Sequence, residues 1–312
     1  MKIELKNNIL QLRGISFADT DAVFAYFHTA KKKRYEYYQT NRVSINNRII
    51  HGNHMLQEQD TVRIFLAMEE DTIEPWYEDL EILFEDELFC IVNKPANLLV
   101  HSDGIEHAHT VCNLVKAHYL LEGHNTCVRP LHRLDYETSG ALIFCKVPFL
   151  QPLLDAMLKN KQIYREYEAF ARGYIAQKHC TITRGIARDR HDARKMRISE
   201  HGKSARTDVF VKQNFMDFTW IRCRLYTGRT HQIRVHLAAI QHPLLSDPLY
   251  GIRDSRCPAP RTARLSGTHP SPPFQRYAAR GMPASTGSSP AAGLGLTYFK
   301  THTLLRPASF AL

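Results

Sequence analysis

The feature that most constrains this chain is a polar loop that runs directly into an apolar strand. Residues 129–140 read Arg-Pro-Leu-His-Arg-Leu-Asp-Tyr-Glu-Thr-Ser-Gly, and the apolar segment 141–146 follows them. An apolar run of this length predicts a buried strand, so one end of the loop is anchored in the core. Small hydroxyl residues and a glycine allow a tight turn and hold a carboxylate by local hydrogen bonds. Asp135 is therefore the first candidate functional residue, although an aspartate in such a loop often does no more than cap a turn.

Composition limits the class of protein. Hydrophobic residues make up 44% of the chain, which is ordinary for a soluble protein, and no apolar run reaches the length of a membrane span. The first residues lack the apolar core of a signal peptide, and the seven cysteines form no C-x-x-C pair. We therefore expect a cytoplasmic protein with reduced thiols and no membrane partner.

The net charge of +10 is unevenly distributed along the chain. Residues 69–90 contain ten acids and no base, whereas residues 252–312 contain eight Lys or Arg and one Asp. The remainder is strongly basic once the acidic stretch is set apart. A basic body interrupted by one acidic connector favours a protein that binds nucleic acid.

Four segments differ in pattern. Residues 1–68 mix helical and strand periods and predict a small α/β module, and residues 69–79 predict an acidic linker. Residues 80–251 predict a larger domain of strands and helices. Residues 252–312 hold eight of the fifteen prolines and show no sustained period, so we expect a Pro/Ser/Arg-rich tail without a packed core. Such a tail fits either a disordered extension or translation in a shifted reading frame.

The larger domain resembles a known family. The string His132-Arg-Leu-Asp135, followed by Thr138-Ser-Gly140, resembles the signature of RluA-type pseudouridine synthases, with Asp135 in the place of their catalytic aspartate. Segments 228–236 and 161–169 resemble the family's arginine-bearing motif and tyrosine-bearing strand. The resemblance implies an α+β fold, with a mixed, mostly antiparallel sheet, flanking helices and an RNA cleft. The family normally continues with further strands that complete the sheet, and we expect no such strand after residue 251.

The first segment resembles the small RNA-binding module named after a ribosomal small-subunit protein, here called S-four-like. The matching residues are Val43, Ile45, Asn46, Leu56, Asp60, Val62 and Ile64. If the resemblance holds, Lys31, Lys32 and Lys33 at a helix would contact RNA. The alternative is that this basic run is only a solvated helix end.

The resemblance implies an RNA pseudouridine synthase, an isomerase that needs no cofactor. Asp135 would either attack as a nucleophile or remove a ribose proton, and the sequence leaves both roles open. By motif match, Arg229 would pair with Asp135 and lower its pKa; the alternative is that Arg229 binds only RNA phosphate. Tyr167 would pack against the base and handle the proton on carbon 5, the alternative being a core aromatic.

Further residues would bind the substrate. Arg133 matches an arginine that fills the gap left by a flipped nucleotide, and Ile233 matches an apolar floor under the uracil, although it could equally be core. His132 and Thr138 lie in the same motif as Asp135. A basic loop supplies the predicted RNA contacts, which are Arg184, Arg188, Arg194 and Lys195.

Other chemistries are less well supported. His101, His107 and His109 match no zinc pattern, so we expect no metal. A hydrolase built on Ser139 and His132 lacks a G-x-S-x-G elbow and a third partner. We expect a monomer whose partner is structured RNA, either ribosomal or transfer RNA. The competing hypothesis is a catalytically impaired RNA-binding relic with a truncated catalytic domain.

Overall fold

The N-terminal module is an antiparallel sheet with two helices inserted into it. A computed structural model describes residues 2–67, 71–105 and 108–251, and the backbone of Arg261–Gly267. The five strands of this module are β1 (Lys2–Lys6), β2 (Ile9–Arg13), β3 (Val43–Ile45), β4 (Arg48–Ile49) and β5 (Val62–Phe65), in the order β1-β2-β5-β3-β4. Helices α1 (Thr20–Tyr26) and α2 (Lys31–Gln39) connect β2 to β3. Asn46 and Asn47 join β3 to β4 with φ values of 50° and 69°, the positive φ that a two-residue hairpin turn requires.

The N-terminal module has its own sheet but shares its core with the rest of the chain. Phe149 lies 6.1 Å from Phe24, 5.1 Å from Phe27 and 5.6 Å from Tyr37, measured between ring centroids. These residues belong to one apolar cluster that also contains Leu154. The module is therefore packed against the larger domain through aromatic side chains.

The larger domain is built on one mixed sheet. Among the described residues its strands are β6 (Ile82–Glu85), β7 (Phe89–Lys94), β8 (Arg129–Pro130), β9 (Ser139–Cys145), β10 (Ile163–Arg172), β11 (His179–Ile182), β14 (Thr207–Asn214), β15 (Phe218–Leu225) and β16 (Arg261–Gly267). Their order is β11-β14-β15-β10-β16-β9-β7-β6, and β8 pairs with β9. Every pairing is antiparallel except that of β16 with β9. The predicted α+β class and mostly antiparallel sheet are confirmed.

Helices and one small hairpin complete the larger domain. They are α3 (Val111–Leu121), α4 (Gln151–Lys159), α5 (Gln232–Ala239) and the hairpin of β12 (Ile186–Arg188) with β13 (Met196–Ile198). Helix α3 starts with a capping box in which Thr110 and Asn113 exchange side-chain and backbone hydrogen bonds. Tyr119 of α3 packs with Phe144 of β9 in the main core. No helix in the described part of the chain is long and apolar enough to span a bilayer.

Strand β16 corrects one prediction. Sequence analysis expected no strand after residue 251, yet the backbone of Arg261–Gly267 lies between β10 and β9. A strand in the middle of a sheet normally has a continuous apolar sequence, which Arg-Thr-Ala-Arg-Leu-Ser-Gly lacks. Its position is therefore set by pairing with two neighbours and could not be inferred from its composition. The remaining parts of the predicted disordered or frame-shifted tail, 252–260 and 268–312, lie outside the described residues.

Candidate active site

An open cleft with a volume of about 930 Å³ crosses the larger domain. Its walls come from the polar loop before β9, from β10 and from the connection between β15 and α5. The cleft contains all seven residues that the sequence proposed as catalytic or substrate-binding, namely Asp135, Tyr167, Arg229, Arg133, Ile233, His132 and Thr138. One cavity thus unites three motifs that are far apart in sequence.

A buried lysine holds the loop that carries Asp135. The Nζ of Lys94 donates hydrogen bonds to the carbonyl oxygens of Pro95 at 2.8 Å, Leu98 at 2.6 Å and Tyr136 at 3.0 Å. Lys94 is fully buried, so its charge is balanced by these three oriented carbonyl dipoles. The backbone N–H of Thr138 also donates to the Asp135 carbonyl at 3.0 Å. Lys94 begins a segment, 94–101, that resembles the lysine-proline segment of the same family, although the resemblance assigned the lysine itself no role.

The arginine that faces Asp135 is Arg234 of α5. Its Nη1 lies 3.8 Å from Asp135 Oδ2 and 3.7 Å from Glu137 Oε2. Its Nε and Nη2 donate to the two carboxylate oxygens of Asp247, each at 2.7 Å. Burial lowers the pKa of Arg234, but the hydrogen bonds and charge of Asp247 outweigh it and raise this pKa above its usual value. Arg234 is therefore a fixed cation shared by three carboxylates.

The prediction that Arg229 pairs with Asp135 is wrong. Arg229 lies in the connection before α5, where its Nε donates to the Ser204 carbonyl at 3.0 Å. Its backbone N–H donates to Gln232 Oε1 at 3.1 Å and so fixes the start of the helix. Both arginines belong to the same motif, and only the position of the helix decides which one turns inward. Arg229 lines the cleft without forming the predicted pair.

Tyr167 is the tyrosine of β10 that faces the cleft. Burial raises the pKa of Tyr167 to about 12, while the charge of Arg165 lowers it and that of Asp135 raises it. The side chain is therefore a neutral phenol near pH 7. Tyr164 lies on the opposite face of β10, where its ring packs 5.1 Å from the Arg224 guanidinium carbon. Tyr164 and Tyr167 are three residues apart on a strand, which is why only Tyr167 lines the cleft.

His132 and Arg133 occupy different environments despite being adjacent. His132 is buried, and burial, helped by the charge of Arg165, lowers its pKa to about 3. A neutral imidazole therefore lies beside Asp135's loop. Arg133 is exposed at the rim, with its Nη1 3.4 Å from His101 Nε2. An exposed guanidinium at the rim suits the predicted contact with an RNA strand.

The predicted RNA-binding residues do not all lie at the cleft. Arg194 lines it and forms an exposed ion pair with Asp192 at 2.9 Å. Arg188 ends β12, Lys195 precedes β13, and Arg184 donates to the Ala239 carbonyl at 3.4 Å. Lys31, Lys32 and Lys33 form the first turn of α2 in the N-terminal module. RNA contact by these residues remains a prediction.

One group of potential metal ligands occurs among the described residues, away from the cleft. It consists of Glu85, Cys90 and His118, whose ligand atoms lie within 4.8 Å of one another. The Nζ of Lys146 lies 2.9 Å from Glu85 Oε1, and His118 Nε2 lies 2.6 Å from Oε2. Burial raises the pKa of the Cys90 thiol to about 12. An ammonium group and a protonated thiol make this cluster unsuitable for a cation.

Comparisons with known proteins agree on one family. Residues 89–239 match the family model described as RNA pseudouridylate synthase. The "Uncharacterized RNA pseudouridine synthase YhcT" of Bacillus subtilis is 37% identical over 215 residues, which cover 67% of this chain and 70% of the relative. The "Ribosomal large subunit pseudouridine synthase D" of Pasteurella multocida is 36% identical over 195 residues, which cover 62% of this chain and 60% of the relative. The structure of human RNA Pseudouridylate Synthase Domain Containing 1 aligns with a TM-score of 0.52 and 27% identity over 64% of this chain and 80% of that one.

Proposed function

We propose a substrate and a mechanism for this chain, which belongs to the RNA pseudouridine synthase family: it isomerises specific uridines in structured RNA, and Asp135 performs the reaction. The observation that supports this assignment best is the juxtaposition of Asp135, Tyr167 and Arg234 in one cleft. A relative named for the ribosomal large subunit makes ribosomal RNA the first substrate to test, ahead of transfer RNA. The competing hypothesis of an impaired relic rested on missing strands, and β16 occupies a central place in the sheet.

Asp135 would act on the ribose of a uridine turned out of its stack. The carboxylate is about 30% exposed to the cleft, and Arg234 lies behind it at ion-pair distance, longer than a hydrogen bond. Such an arrangement orients the carboxylate electrostatically and keeps it accessible at the surface of the cleft. Attack on the ribose and removal of a ribose proton both require a carboxylate presented in this way.

The other cleft residues would hold and reposition the base. Ile233 would form the apolar floor under the uracil, and the ring of Tyr167 would pack against its face. After the new bond to carbon 5 forms, the Tyr167 hydroxyl, kept neutral by burial, would relay the carbon 5 proton: its oxygen would accept that proton while its own O–H proton passes to solvent in the open cleft. Arg133 at the rim would fill the gap that the flipped nucleotide leaves, offsetting a cost of a few kcal/mol.

The N-terminal module would add a second contact with RNA. We expect it to act as an S-four-like module through the first turn of α2, where Lys31 and Lys32 are exposed. Exposed lysines bind phosphate without reading sequence. We further expect a cytoplasmic monomer with structured RNA as its partner.

Replacement of Asp135 by Asn tests the proposal directly. The amide is nearly isosteric but can act neither as nucleophile nor as base, so Asp135→Asn should abolish pseudouridine formation and change RNA affinity only a few-fold. Pseudouridine is mapped chemically in large-subunit ribosomal RNA and in transfer RNA transcripts incubated with each protein. Glu137→Gln is the matched control, because Glu137 lies at nearly the same distance from Arg234. Full modification by the Asn variant would refute the role of Asp135.

A further inference from the structure

Two arginines lie on one wall of the cleft, and a lysine lies near the start of β10, the strand that carries one of them. Lys161 precedes β10, Arg165 lies within it, and Arg229 lies in the connection from β15 to α5. Arg165 and Arg229 line the cleft directly. The backbone N–H of Lys161 donates to the carbonyl of Leu158, a residue that lines the cleft, at 3.4 Å. Burial lowers the pKa of Lys161, and the charges of Arg165 and Arg229 lower it further. Each of the three is partly buried.

Gly228 brings the two arginines together. A Cβ atom at Gly228 would lie 2.5 Å from Arg165 Nη1, 2.9 Å from Nη2 and 3.1 Å from Cζ. The Arg165 guanidinium therefore packs against the bare backbone of the residue that precedes Arg229. Any larger residue at position 228 would displace it. The position of the Arg165 guanidinium therefore depends on a glycine at residue 228.

Two of these three cations form no ion pair within the part of the chain that the structure describes. In the described ranges 2–67, 71–105 and 108–251, neither Lys161 nor Arg165 forms an ion pair with an acid. Arg224 of the neighbouring strand, by contrast, lies 2.6 Å from Glu166. Partly buried like charges repel one another, so a bound anion would stabilise this wall.

The spacing of Arg165 and Tyr167 along β10 places the positive wall next to the site of reaction. Arg165 and Tyr167 are two residues apart on a strand, so both side chains lie on the cleft face, about 7 Å apart along the strand. A base packed on Tyr167 would thus have its flanking backbone beside Arg165. Arg165 can form bidentate hydrogen bonds with phosphate oxygens, and Lys161 adds a point charge.

We propose that Lys161, Arg165 and Arg229 form a phosphate-binding subsite for the RNA backbone next to the target uridine. This inference rests on the proposed function, since it places the phosphate beside a base held on Tyr167. It also gives Arg229 a role that replaces the rejected pairing with Asp135. The rival explanation is that Arg165 only positions Tyr167.

The test measures RNA affinity and turnover separately. Affinity for a large-subunit ribosomal RNA transcript is determined over a range of salt concentrations for the wild type, Lys161→Gln and Arg165→Gln. Each lost phosphate contact should reduce the slope of log affinity against log salt by about 0.7–0.9. Lys212→Gln, on an exposed part of β14, is the control and should leave the slope unchanged. Arg165→Lys keeps a cation and should restore most of the slope.

Single-turnover pseudouridine formation distinguishes the subsite from its rival. For Arg165→Gln we expect the half-saturating RNA concentration to rise by about tenfold and the rate at saturating RNA to stay within about threefold. A lower saturating rate with an unchanged half-saturating concentration would instead assign Arg165 to the positioning of Tyr167. Melting temperatures show whether each variant is folded. If Arg165→Gln does not fold, the same measurements on Lys161→Gln test the subsite.

Failure of the subsite differs from failure of the proposed function. If the wild type forms pseudouridine and neither Gln variant changes the salt slope, the subsite is wrong and the function stands. If the wild type forms no pseudouridine but both Gln variants reduce the slope, the subsite stands as a phosphate site and the function is wrong.

Discussion

The buried pair of Arg234 and Asp247 should be the most sensitive point of the active site. Arg234 is about 2% exposed and Asp247 is fully buried, and two hydrogen bonds of 2.7 Å join them. Asp247→Asn leaves the cation without its main counter-charge. Removing one partner of a buried pair costs about 3–5 kcal/mol, because the remaining charge stays buried. A domain's typical stability is about 5–15 kcal/mol, so the variant should fold but lose much of its margin.

The expected loss converts into a large change in melting temperature. For 150–250 residues, about 1 kcal/mol shifts the melting temperature by about 2–4 °C, so Asp247→Asn should melt about 6–20 °C below the wild type. Thermal unfolding at pH 7, followed by circular dichroism, measures this shift. Glu36→Gln breaks the exposed ion pair with Lys33 at 3.2 Å and is the control, with an expected cost below about 0.5 kcal/mol.

A second variant separates the charge from the packing. Arg234→Met combined with Asp247→Asn removes both charges, and the Asn Oδ1 can still accept from the backbone N–H groups of Leu249 and Tyr250, so part of the lost stability should return. Pseudouridine formation should not return, because Asp135 loses the cation that faces it. The reasoning is refuted if Asp247→Asn melts within about 2 °C of the Glu36→Gln control.

Three further outcomes follow from the site and the sheet. Tyr167→Phe should slow pseudouridine formation by about 10²–10⁴-fold if the hydroxyl transfers a proton, and an unchanged single-turnover rate would exclude that role. Because burial lowers the pKa of His132 to about 3, the unfolded chain binds a proton below pH of about 6.5 that the folded chain excludes, and stability should fall as the pH drops from about 6.5 towards 3. Urea unfolding at pH 7 and pH 5 measures this change. Between these two pH values, the free energy of unfolding should fall less for His132→Gln than for the wild type, by a difference of up to about 1.4 kcal/mol per pH unit. Truncation after Gly251 removes β16 and leaves the facing edges of β10 and β9 unpaired, so the truncated chain should be insoluble on expression; a soluble, cooperatively folding product would contradict the position of β16.

Local signals in the sequence identified most of the cleft. The loop around Asp135 has a distinctive polar composition next to an apolar strand, and the period of β10 separates Tyr167 from Tyr164. The choice between Arg229 and Arg234 was not accessible in this way. It depends on where α5 begins, and helix boundaries are uncertain by one or two residues even with coordinates. A shift of that size rotates a side chain by a large part of a turn.

Non-local pairing explains what the sequence could not show. Strand β16 is polar, and its place between β10 and β9 follows from backbone hydrogen bonds that any sequence could make. Lys94 likewise looked like the end of a strand, and its role emerges only when the Tyr136 carbonyl approaches it from a distant loop. Both features are contacts between segments far apart in the chain.

The packing of the N-terminal module has a consequence for how the chain holds RNA. Residues 1–68 had a complete pattern of their own, which is why the sequence favoured a separate module. Phe24, Phe27 and Tyr37 nevertheless pack on Phe149, which lies in the turn before α4. Because α4 leads directly into β10, the strand of Tyr167, α2 is held at a fixed distance from the cleft. If the module binds RNA as proposed, it does so without the entropy loss of ordering a flexible tether, and its contacts add to those of the cleft.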